Sequence, residues 1–125
     1  MKLKFAAIIA LSSLLAAPAL AQSASVNEII ASIGTNQFLK AAGKVDGASS
    51  ARVVRLSILL GAKSAGQRMA RAEAIYERDL DYLHSNLEVS PIVMQAIRAS
   101  GFDVNSIVAL TIDGDGSAIL YADDL

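Results

Sequence analysis

The last fifteen residues, TIDGDGSAILYADDL (111–125), constrain the fold more than any other stretch. SIVALTI (106–112) and SAILYA (117–122) are apolar, strand-like runs separated by Asp-Gly-Asp-Gly. Asp-Gly between two such runs is a strong hairpin signal, because the turn needs backbone angles at which glycine is most at ease. A hairpin alone is marginal in water, so the rest of the chain must extend and cover it.

RVVRLSILLG (52–61) supplies the next strand candidate, with Val54, Leu56, Ile58 and Leu60 alternating with Val53, Arg55 and Ser57. The preceding VDGASSA (45–51) is loop by composition. RVVRLSI and SIVALTI echo one another, each after a helix and a glycine-bearing loop. With only two copies this reads as two similar helix-then-strand units, not a repeat array.

The remaining segments carry helical periodicity. Ser25 followed by Glu28 has capping-box spacing and opens a helix ending at Gly43, with Ile29, Ile30, Ile33, Phe38 and Ala41 near one face. Gly34 interrupts it, as a kink or a split into two short helices. A second capping box, Ser64 to Gln67, opens the longest helix, running to about Leu87. Its apolar stripe is Met69, Ala72, Tyr76, Leu80, Leu83 and Leu87. Ser90-Pro91 starts a third helix with Ile92, Val93, Ala96 and Ile97 on one side, closed by Gly101 with Phe102 folding back. The predicted fold class is α+β: a small three-stranded sheet with a C-terminal β-hairpin, packed against about three helices and covered by them on one face.

The N-terminus is of a different kind. Lys2 and Lys4 precede an apolar run of 13 residues, Phe5 to Ala17, then Pro18 and Ala19-Leu20-Ala21. This is the pattern of a bacterial secretory signal peptide cleaved between Ala21 and Gln22. The run is shorter than the roughly 20 residues that span a bilayer. The expected organisation is a cleaved leader, 1–21, and a single small domain, 22–125, in the periplasm or secreted. Taking 21 residues from 125 leaves 104, with nine Lys and Arg against twelve Asp and Glu, a net charge of −3. Such a balance disfavours nucleic acid and anionic membranes as partners once the leader is gone. Without cysteine there is no disulfide, no lipid attached as in a bacterial lipoprotein and no thiol chemistry. Aromatic residues are few after the leader, so Leu, Ile, Val and Ala must build the core.

Two carboxylate groups invite a metal reading. In the register of a calcium-binding helix–loop–helix, Asp113, Asp115 and Ser117 take the first, third and fifth positions and Asp124 the twelfth. Ala118 stands where that loop needs glycine, and Asp124 is one methylene short of the bidentate glutamate. A strand from Ser117 would also carry Asp123 about 20 Å from the turn, at roughly 3.3 Å per residue. Hairpin and calcium loop exclude each other, and the flanking runs favour the hairpin. The second group, Glu77, Asp81, His84 and Glu88, falls on one stripe of the long helix at spacings of 4, 3 and 4. It lies about 100° from the apolar face, where a solvated acidic surface is expected. Arg68 and Arg71 near the start of that helix, with Asp79, Asp81 and Glu88 near its end, oppose the macrodipole, and packing is expected to outweigh the cost.

No Gly-x-Ser-x-Gly, His-Glu-x-x-His or phosphate-loop pattern occurs, so neither catalysis nor a cofactor is expected. The predicted function is a non-catalytic interaction or structural module of the envelope that binds another protein or itself. An exposed edge, RVVRLSILL or the last strand, would serve for pairing unless Arg52 and Arg55 protect it. The alternative is a divalent-metal protein using the acidic stripe or the C-terminal aspartates.

Overall fold

Ser25 opens the first helix through the predicted box: its hydroxyl accepts from the Glu28 N–H, and the Glu28 carboxylate accepts from the Ser25 N–H. The computed structural model describes residues 24–125. The expected leader and its cleavage point between Ala21 and Gln22 lie outside the described residues. Helix α1 (Val26–Ser32) ends before Gly34, whose φ of +81° turns the chain, and Thr35 caps α2 (Asn36–Gly43). The first helix is thus split in two. Val45–Gly47 then forms a short 3-10 turn that buries Val45 and leads into strand β1 (Ser50–Arg55).

Strand β1 is shorter than its composition suggested. Leu56–Ile58 winds into a 3-10 turn, and Leu56 and Leu59 are buried while Ile58 and Leu60 face outward. Burial at a spacing of three is the period of a 3-10 turn and is incompatible with a strand's period of two. The Leu60 carbonyl instead accepts from the Val26 N–H, tying this segment to the start of α1.

The long helix is also broken. The second capping box does not form: Ala62–Ser64 is a 3-10 turn, and α3 (Gly66–Ile75) starts at Ala65 without a side-chain cap. Tyr76, at φ −107° and ψ 32°, separates α3 from α4 (Glu77–Glu88). Met69, Ala72, Leu80, Leu83 and Leu87 are buried as the stripe predicted, but Tyr76 is turned outward beside Gly34. The break relieves the macrodipole conflict at Asp79, which with Glu77 now occupies the first turn of α4, while Arg68 in the first turn of α3 and Glu88 at the end of α4 still oppose it.

Ser90 and Pro91 start α5 (Pro91–Ala99), with the Ser90 hydroxyl accepting from the Val93 N–H. Val93 and Ile97 point into the core and Ile92 does not. Gly101 takes φ +86°, and Phe102 returns to pack on the core.

The hairpin forms as read, β2 (Ile107–Ile112) antiparallel to β3 (Ser117–Ala122), with an irregularity between Ile107 and Ala109. Strand β1 pairs with β3 in parallel, from Ser50 opposite Ser117 to Arg55 opposite Ala122. The order is β1-β3-β2, so the last strand is central and is no edge. The two echoed segments therefore flank it in opposite directions. Along β3, Ala118, Leu120 and Ala122 face one side and Ile119 and Tyr121 the other, and all five are buried. Both faces of the sheet are covered, not one. The architecture is a small mixed α+β fold with five α-helices among the described residues where about three were expected, because two of the three divide. Among the described residues no helix is long and apolar enough to cross a membrane.

Candidate functional site

Asp113 and Asp115 sit in the exposed β2–β3 turn. The Gly116 N–H donates to the Asp113 carbonyl at 2.9 Å, and the Ser117 N–H donates to the Asp115 carboxylate at 3.0 Å. That bond, then the Ser117 hydroxyl, holds the Asp115 carboxyl below its ordinary range. Ser49, just ahead of β1, donates its N–H to the Gly116 carbonyl and its hydroxyl to the Asp115 carbonyl. The stretch is a turn pinned by its neighbour. The two terminal aspartates lie at the other end of β3 and have separate duties. Asp124 accepts from the Ser57 N–H and hydroxyl, at 2.9 and 2.6 Å, with the Arg55 Nε 3.9 Å away. Asp123 approaches Glu73 on α3.

The acidic stripe of α4 keeps Glu77, Asp81 and Glu88 at the surface, while His84 turns partly inward. Its Nε2 lies 2.8 Å from the Ile107 carbonyl, so that nitrogen carries the proton and donates. This bond ties α4 to the start of β2. Among the described residues no three His, Asp or Glu side chains converge closely enough to hold a metal ion.

Sequence reasoning passed over Glu73. It follows Met69 by four residues and precedes Leu80 by seven, a spacing that sets it against the buried stripe, and this was the available signal. Its Oε2 is buried and meets no donor. Burial first, then the hydrogen bond and charge of Asp123, push its carboxyl up to about 8, so at neutral pH it keeps its proton beside Asp123.

Of the concave surfaces among the described residues, two are built with α1. A cleft of about 250 Å³ lies between the α1–α2 corner and the sheet, with Ile29, Phe38, Leu110 and Tyr121 as walls. Three of its polar groups are engaged locally: Glu28 in the capping box, Ser32 on the Ile29 carbonyl, Thr35 as a cap. Burial pushes the Tyr121 phenol up, so it stays neutral. The second is a groove of about 320 Å³ between α1 and α3, lined by Ile30, Ile33, Arg68, Arg71, Ile75 and Tyr76 among others. Ile75 is 67% exposed, unusual for a β-branched apolar side chain in a helix with a buried stripe. Arg68 donates to the Asn27 Oδ1 and the Ser64 carbonyl, and among the described residues neither arginine forms an ion pair.

What the geometry defines is thus a small mixed α+β domain whose carboxylates are dispersed and whose apolar, arginine-flanked groove is open. Comparison with protein-family models, with curated proteins and with solved structures finds no match for this chain.

Proposed function

We propose that this chain is an exported envelope protein that works, without catalysis, by binding a protein surface through the groove between α1 and α3. The observation that carries the reading is the groove itself: Ile75 and Tyr76 exposed side by side, with Arg68 and Arg71 in the same lining and, among the described residues, in no ion pair. Exposed apolar side chains rimmed by charge are the composition of a contact surface, where arginine and tyrosine are enriched. Export is supported by the Lys2–Lys4, apolar and Ala-Leu-Ala sequence of the N-terminus. Periplasmic or secreted residence follows from it, with no membrane attachment after cleavage. Nucleic acid remains a poor partner for a chain whose net charge of −1 becomes −3 once the leader is removed.

Expression of the full chain in a bacterial host tests both parts. Fractionation is expected to recover a protein beginning at Gln22 outside the cytoplasm. A photoreactive residue at position 75 is expected to give a discrete crosslinked adduct there, and the same residue at position 115 none. A cytoplasmic, uncleaved chain contradicts the export reading. Equal labelling from both positions contradicts the groove.

A further inference from the structure

We infer that the groove receives a second copy of this chain, docked through the acidic ridge of its α4 helix. The proposal rests on the interaction reading above and names its partner.

The groove and the ridge are complementary in charge and in apolar content. The acceptor is α3 with α1: Arg68, Arg71 and Ile75 on α3, Tyr76 at its end and Ile30 on α1, and among the described residues the lining holds no acidic side chain. The donor is α4. Glu77, Asp81 and Glu88 form its exposed acidic line. Tyr82 and Val89, each one residue further on, are 46% and 64% exposed and flank that line, with the exposed Arg78 on the same side. Along a helix axis Arg68 and Arg71 are about 4.5 Å apart and Glu77 and Asp81 about 6 Å, at 1.5 Å per residue. Two guanidinium groups can therefore meet two carboxylates of one facing helix while the apolar flanks close on each other. Charge-assisted pairs of this kind, next to aromatic and aliphatic contact, set orientation and approach rate.

Groove and ridge are different surfaces of the same chain. The contact is heterologous, each copy offers both halves, and association builds rings or open chains in place of a symmetric dimer. All four exchanged charges are exposed, so reversing them leaves the buried core untouched.

The test is light scattering of the protein as the cell processes it, over a range of concentration and salt. The expected result is a mass that rises with concentration and falls back with added salt. R68E/R71E and E77K/D81K are each expected to weaken association at least about tenfold while the circular dichroism of the folded protein is retained. Mixed together, the two variants are expected to associate again, because each keeps one unaltered half and the altered halves have exchanged sign. A single monomeric mass under all conditions overturns the proposal, as does association indifferent to both reversals or a mixture that stays monomeric. A monomer whose position-75 crosslinker still captures a different protein also overturns it, while leaving the interaction reading standing.

Discussion

Three residues show what one position can hold in place. A Cβ at Gly34 would collide with the Tyr76 ring and lie 3.0 Å from the Asp79 carboxylate, and the backbone there sits at φ +81°. Gly34→Ala combines a left-handed penalty of about 1–2 kcal/mol with that overlap, so a loss of about 2 kcal/mol or more is expected in denaturant unfolding. His84 satisfies the carbonyl of a fully buried residue, Ile107. Removing the ring in His84→Ala leaves that carbonyl without its donor and should cost about 1–3 kcal/mol by the same measurement. Glu73 makes a prediction in pH. Its carboxyl titrates at about 8 when folded, against 4.5 for the ordinary group, so between these values the folded state holds a proton that the unfolded state has released. Its contribution to stability therefore falls as pH rises through that window. Glu73→Gln cannot titrate, and its melting temperature relative to the parent is expected to climb from pH 4.5 to pH 8. A difference constant across that range would contradict the buried, protonated carboxyl.

At the scale of elements, local signals in the sequence translated directly and distant ones did not. The Ser25–Glu28 box, the Ser90-Pro91 start, the Gly101 stop and the Asp-Gly turn are satisfied within a few residues, and each is where its sequence placed it. The buried stripe of Met69, Leu80, Leu83 and Leu87 was legible for the same reason, since helical spacing sets it. The break at Tyr76 was not legible, because it answers to Gly34 in the distant α1–α2 turn. The early end of β1 depends on Asp124, 67 residues away, which holds Ser57 in its turn. Of the candidate site, the exposure of the acidic stripe was readable from its angle to the apolar face. The Glu73–Asp123 pair and the groove were not, since both arise from elements that meet only in the fold. The central place of β3 belongs to this second kind, and it makes Leu120 the most consequential strand residue: fully buried, with a neighbour on each side. Leu120→Ala is expected to lose about 2–5 kcal/mol, measured by denaturant unfolding, by emptying a space that two flanking strands prevent from closing.

Across the whole molecule, the arrangement separates what is stapled from what is free. Strand β3 is enclosed on both faces and both edges, its turn is pinned by Ser49, and its far end is held by Ser57 and Ser106. The α1–α3 side, by contrast, leaves Ile75 and Tyr76 open beside Arg68 and Arg71. The fold ties Asp115, Asp123 and Asp124 into its turn and strand end and leaves this face bare. Amide hydrogen exchange on the protein, in dilute and in concentrated solution, tests whether the proposed face is used. Exchange is expected to slow on concentration in residues 26–33 and 66–76, and along the acidic side of 77–88, while the hairpin is unchanged. Identical exchange in both solutions, or slowing confined to the strands, would contradict it.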